Sequence, residues 1–397
     1  MISVENAFHR IVDDAVPLTT ERLAVEASVG RVLAAPLAAR KSQPGCDLSA
    51  MDGYAVNSSD LSGGPVTLKV TSTSAAGQSK ISELKPGEAM QIYTGAPVPN
   101  GADQVIIQEN VNRDGDNINI QENAAPGKNI RFAGNDFAAK QIVCDAGTFI
   151  TPKSIGLIAG SGHSHVMVHR APKIAILTTG DELAKPDQDT FGPQETIDSL
   201  TPTLLSFFND AGATASSLGA IKDNPDAIKA AIRNSSDADI LITVGGASVG
   251  DRDYVQEALK AEGMELDFWK IAMRPGKPMI FGKINNRFVI GLPGNPVSAF
   301  VCALVFVRPL IDKLMGRPAP LPTGVLLPSA VDLPANGVRQ HYMRARLIGI
   351  PGQRMVDPAA SQDSSLLSVL SQSDGLIVRP VDAPEVKAGE PVLFLPF

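Results

Sequence analysis

Residues 173–183 read KIAILTTGDEL, and this stretch decides the fold. Its first six residues are almost all apolar, with no alternation between wet and dry sides. That is the texture of a strand covered on both faces, as in a parallel sheet. Moving outward, a further strand is expected at 215–221, and the same texture returns in DILITV (239–244). Helical patterns fill the intervals near 201–211, 225–234 and 253–262. A hairpin, 278–283 and 287–291, turns at Asn285-Asn286, and a long helix is expected after Asn295-Pro296. The alternation predicts a multidomain α/β protein whose centre, 171–318, is a doubly wound α/β domain.

The flanks read differently. Residues 3–15 place Val4, Ala7, Phe8, Ile11 and Val12 at helical spacing behind Ser3 as N-cap, and a second helix is expected over about 20–35. From 41 to 150, short apolar runs (66–70, 90–93, 104–108, 118–120) alternate with Gly, Pro, Asn and Asp. Residues 1–170 are therefore read as a helical linker plus a β-rich domain, inserted at about 47–129. Residues 319–397 return to short strands, such as 342–348 and 375–379, and predict a small C-terminal β-barrel.

Composition narrows the function. The 397 residues are 44% hydrophobic and 19% charged, with net charge −7, as in a globular protein of several domains. No basic excess or stripe suggests nucleic acid. The most apolar stretch, 299–307, is too short to span a membrane, and the N-terminus lacks the basic-then-apolar pattern of a signal peptide. Cys46, Cys144 and Cys302 form no CxxC and read as incidental thiols. A cytoplasmic protein is expected.

Ligands of open α/β sheets bind beyond the carboxyl ends of the strands. The residues there are Thr179-Gly180-Asp181-Glu182, Lys222-Asp223, the run Gly245 to Asp253, and Leu292-Pro293-Gly294-Asn295-Pro296. Gly245 and Gly246 clear space for close approach, and Ser248 can bond a phosphate at the start of the next helix. Asp251 reads by default as an N-cap. Glu182, Asp223 and Asp253 come from different loops on one edge, the way hard cations such as Mg²⁺ are bound. Each acid alone reads equally well as a helix cap facing water. Ser298, one turn into the last helix, can reach an anion at its end. Lys270, Arg274 and Lys277 gather around Pro275-Gly276 and Pro278, the most anion-friendly stretch of an acidic chain. No Walker A motif, GxGxxG, HExxH or GxSxG is present. His163, His165 and His169 read as a strand-face feature.

Six segments in order then carry a resemblance: DLSAMDGYA (47–55), TGAPVP (94–99), TGDEL (179–183), GGASVGDRD (245–253), RPGKP (274–278) and LPGNPVS (292–298). From about residue 3 to the C-terminus the chain resembles the molybdopterin molybdenumtransferase (MoeA) family, which includes the E domain of gephyrin. The resemblance implies an α/β domain of molybdopterin-binding type. It also implies an enzyme that inserts molybdate into adenylylated molybdopterin and releases AMP, using Mg²⁺ or a similar divalent cation. Lys270, Arg274 and Lys277 would then face the anions, with Gly245, Gly246, Ser248, Pro278, Pro293, Pro296 and Ser298 around the substrate. Glu182 and Asp253, with Asp223, would hold the metal, and Arg344 with Ser364 or Ser365 would close the molybdate pocket.

Asp52 and Thr94 would reach the active site of a second copy, since the family forms homodimers with the cleft at the interface. Molybdopterin adenylyltransferase and other enzymes of the cofactor pathway are candidate partners. Read from residues alone, 49–54 and 94–97 are only a strand and turns. Three departures are visible: Leu200 follows Asp198-Ser199 where the family often has Asn, Arg274 replaces a frequent Lys, and 132–142 lacks one of the family's usual glycines. The competing readings are a dimeric scaffold, which would not need the acid and base set, and a sister adenylylating enzyme, which would lack the N- and C-terminal additions.

Overall fold

The computed structural model describes residues 1–78, 81–245 and 254–397. The chain folds as two compact units. One comprises residues 1–21, 30–32 and 168–397, the other 22–29 and 33–167.

The first unit is built on a six-stranded sheet. In chain order its elements are β1 (Lys173–Thr179), α1 (Leu200–Asp210), β2 (Thr214–Ile221), α2 (Pro225–Asn234), β3 (Ile240–Val244), α3 (Tyr254–Ala261), β4 (Glu265–Phe268), β5 (Ile280–Ile284), β6 (Arg287–Leu292) and α4 (Pro296–Cys302). The strands lie in the order β2-β1-β3-β6-β5-β4. The first four are mutually parallel, and β5 and β4 add an antiparallel edge. Strand alternation feeds two cores. Ile174, Ile176, Ile240, Ile242 and Ile290 point to one, which also holds Leu204 and Phe208 of α1, Val297 and Val301 of α4, and Phe8 and Ile11 of the N-terminal helix. Ala175, Leu177, Leu241 and Val289 point to the other, with Ile228 and Ile232 of α2 and Val255 and Leu259 of α3. Helices on both faces explain why the central strands β1 and β3 read as unbroken apolar runs, while the edge strands β2 and β4 do not.

The long helix expected after Asn295-Pro296 continues α4 through a π-helical turn, Ala303–Val307, into Arg308–Leu314. The wide turn directly precedes Pro309, which has no N–H to give and whose ring crowds the preceding turn. The N-terminal helix, Val4–Val12, is capped by Ser3, whose hydroxyl accepts from Asn6 N at 3.1 Å. The helix expected over 20–35 does not form. Residues 20–24 are a strand and 25–27 a single 3₁₀ turn, stopped where Gly30 adopts φ 82°. The β-branched Thr19-Thr20 pair favours the extended chain that the strand uses.

The C-terminal strands form a six-stranded sheet led by Gln340–Ile348, Gly375–Arg379 and Pro391–Pro396. Its edge strand Val325–Pro328 leads into a bridge from Ser329 to Val356 of the strand Met355–Pro358, so the sheet curls into a half-barrel. The strand Met273–Arg274 pairs with Gln340–His341 and joins this sheet.

The second unit carries a six-stranded mixed sheet in the order 104–107, 53–56, 88–92, 66–74, 117–120, 111–114. One face holds Tyr54, Val56, Leu68, Ile106 and Ile118, and the other Ala55, Met90, Ile92 and Val105.

Candidate active site

The carboxyl ends of β1, β3 and β6 open into a cavity of about 1080 Å³. Its wall includes Thr178, Thr179 and Glu182 after β1, Gly245 after β3, and Pro293, Gly294, Asn295 and Pro296 between β6 and α4. Lys270, Lys277 and Pro278 come from the connection between β4 and β5, and Ser365 and Leu367 from the half-barrel. The cavity therefore gathers Glu182, Gly245, Lys270, Lys277, Pro278, Pro293, Pro296 and Ser365 from the residues singled out in sequence.

Gly245 stands at φ 86°, and a Cβ there would lie 2.8 Å from Thr179 O. Only glycine lets the chain leave β3 this close to β1. Gly246, Ser248 and Asp253, like Asp251, lie outside the described residues.

The acids form one corner. Asp223 N donates to Asp181 Oδ1 at 3.3 Å, which ties the loop after β2 to the loop after β1. Burial first, then the charges of Asp181 and Glu182, push the Asp223 carboxyl above the usual carboxylate range. Three like charges held together are what a divalent cation would relieve. Among the described residues, however, no group of three His, Cys, Asp or Glu is spaced as a ready metal cage. Mg²⁺ suits such a corner, because it takes one or two carboxylates and completes its shell with water and substrate phosphates. Asp181 was given no role in the sequence; the bond its carboxylate accepts from Asp223 N is visible only in three dimensions.

The cations are held by a different logic. The 270–278 connection is tied down from three directions. Ile2 N donates to Lys270 O (3.2 Å) and Ala272 N to Ile2 O (2.8 Å). Gln340 N of the half-barrel donates to Ala272 O (2.9 Å), and Ile271 N to Lys277 O (3.1 Å). Gly276, at φ 107°, lies against sulfur: a Cβ there would be 2.5 Å from Cys302 Sγ and 3.2 Å from Met273 Sδ. Arg274 is exposed, lies in the short strand that joins the half-barrel sheet, and is not among the cavity-lining residues.

Asn295 does not cap α4 with its side chain. Its Nδ2 donates to Ser364 Oγ (3.0 Å), while Val297 N donates to Ser364 O (3.1 Å). The start of α4 is thus partly satisfied by the half-barrel. Ser298 is 4% exposed and lies inside the packing of α4, away from the cavity lining. The turn that Pro296 starts carries residue 298 round to the buried side.

Arg344 is 1% exposed. It reaches Leu366 O (3.5 Å) and Ser361 O (3.4 Å), and burial lowers its affinity for its proton. It braces the 361–366 loop that brings Ser365 to the cavity. Asp363 Oδ1 accepts from Ser365 N (2.9 Å) and Oγ (2.8 Å), which fixes that hydroxyl. Leu200, at the start of α1, is 7% exposed and lines the cavity beside Ile197 and Leu183, giving that wall an apolar patch.

In the second unit, Asp52 and Thr94 find each other. Asp52 Oδ1 accepts from Thr94 N (2.6 Å) and Oγ1 (2.8 Å), which holds the carboxyl below its usual range. The three histidines make no cluster: His163 Nε2 is 2.9 Å from Ala38 O, and His169 Nδ1 is 2.9 Å from Leu18 O.

Comparison with known proteins now bears on this geometry. Three family profiles match in tandem: "MoeA N-terminal region (domain I and II)" over 2–162, "Probable molybdopterin binding domain" over 175–313, and "MoeA C-terminal region (domain IV)" over 327–397. A molybdopterin molybdenumtransferase of Haemophilus influenzae is 36% identical over 100% of this chain and 99% of its own. The chain belongs to the molybdopterin molybdenumtransferase family. It is an enzyme of that family by full-length similarity. A second member, from Nostoc, is 34% identical over 95% of this chain and 88% of its own. The fold agrees as well. The crystal structure of a molybdopterin biosynthesis MoeA protein from Pyrococcus horikoshii superposes with TM-score 0.87 at 27% identity, covering 100% of this chain and 99% of that one. Among the described residues no helix is long and apolar enough to cross a membrane.

Proposed function

We propose that this enzyme inserts molybdenum, taken as molybdate, into adenylylated molybdopterin and releases AMP in a step that needs Mg²⁺ or a similar divalent cation. One observation carries the reading: a single cavity at the strand ends has Lys270 and Lys277 on one wall and Glu182 on another. Both substrates and the AMP released are anions, and the lysines meet that charge in a site partly shielded from water. The apolar patch of Ile197, Leu200 and Leu183 suits a flat heterocycle.

Glu182 and Asp223, with Asp253, are the groups for the metal, which would supply positive charge to the phosphates. Lys270, Lys277 and Ser365 would bind the oxyanions, with Arg274 at the rim and Arg344 bracing the Ser365 loop. For Ser248, Gly246 and Asp253 the assignment rests on family resemblance, as it does for Asp52 and Thr94 acting in the site of a second copy. The enzyme then works as a homodimer in the cytoplasm, receiving its substrate from an adenylylating enzyme. The decisive experiment mixes purified protein with adenylylated molybdopterin, Mg²⁺ and molybdate. AMP release that depends on both ions is expected. Release that continues unchanged without molybdate would overturn the proposal.

A further inference from the structure

Lys270 is fixed at both ends. Its backbone is held by Ile2, and its ammonium lies over the ring of Trp269, 3.7 Å from the centroid. Trp269 is the only tryptophan of the chain and is 39% exposed. No carboxylate pairs with Lys270 among the described residues, although the chain has more acids than bases. The choice of holder matters. A carboxylate would steady the ammonium but cancel its charge and compete with any arriving anion. An aromatic face attracts the cation through its quadrupole and leaves the net charge in place. It also limits the rotamers of a flexible four-carbon stem, so less freedom is lost when an anion binds.

We infer that Trp269 is a positioning residue, which holds the Lys270 ammonium, still charged, at the cavity wall for the phosphate of an adenylate-type substrate. The inference rests on the reading of the cavity given above and adds to it a residue that touches no reacting atom.

Two measurements on the full-length protein test it. In protein carrying ¹³C-labelled lysine, the Lys270 ε-methylene signal is expected upfield of the other lysines because it lies over the indole, and Trp269→Leu should return it to their range. An unshifted signal in the wild type overturns the inference. AMP binding by equilibrium dialysis is then expected to weaken about 2- to 30-fold in Trp269→Leu, and less in Trp269→Phe, which keeps a weaker aromatic face. A merely structural role would not separate Phe from Leu in this way. Binding that ignores position 269, or treats Phe and Leu alike, overturns the inference. Absence of AMP binding by the wild-type protein would instead overturn the reading of the cavity, and this inference with it.

Discussion

The acid corner reaches the cavity through Glu182 and the cationic connection reaches it through Lys270 and Lys277, yet the two are held by opposite means. Asp181, Glu182 and Asp223 stand on short turns directly after β1 and β2, so the sheet itself delivers them. Lys270 and Lys277 stand on a connection with little regular structure, steadied by Ile2, the half-barrel and the sulfur atoms of Met273 and Cys302. The acids repel one another and await a counter-charge. The cations stand on a backbone steadied by neutral neighbours. Charge in this site is therefore set by the sheet on one side and by packing on the other.

The largest effects should come from removing a charge on either side. Glu182→Gln and Lys277→Met are each expected to lower molybdate-dependent AMP release about tenfold to a hundredfold. Their melting temperatures should stay close to wild type, because neither charge belongs to a core. A variant with normal turnover would remove that residue from the site. Next comes a substitution that alters no charge. Gly276→Ala drives a methyl group into Cys302 and Met273, and should cost about 1–3 kcal/mol of stability and raise KM together. An unchanged KM in Gly276→Ala would break the contrast.

A smaller effect of opposite sign is expected at Asp223. Asp223→Asn relieves repulsion from Asp181 and Glu182 and should raise the melting temperature without added metal, by no more than about 2 °C. A drop would show that the corner is not strained by its own charge.

The smallest effect concerns His341, beside Arg274 on the half-barrel. Burial first, then the charges of Arg274, Arg339, Arg344 and Arg379, lower its pKa to about 4 from 6.5. Between those values the unfolded chain binds the proton and the native chain does not, so stability should fall as pH drops from 6.5 towards 4. His341→Gln should make that slope shallower in denaturant titrations. An identical slope would exclude His341 as its source.

Much of this was legible in order along the chain. KIAILT and DILITV announced a sheet covered on both faces, because each strand there must bury both sides, and the turns that follow named Glu182, Gly245 and Pro293. The failures have causes too. A helix was expected at 20–35 because its apolar residues recur loosely, but extended pairing of 20–24 prevailed over local pattern. Asn295 looked like a cap, and Ser364, nearly seventy residues later, took its side chain instead.

The sequence by itself determined which segments become strands and helices, and so which loops lie at the carboxyl edge of the sheet, since periodicity and turn residues act locally. Only the tertiary structure decided that Asp181 tethers Asp223, that Ser298 turns inward, and that the lysines are steadied by Ile2, Trp269 and Cys302. Those outcomes depend on how the folded segments meet, and contacts of that kind, from neighbours in sequence to the two ends of a domain, leave no periodic mark in the chain.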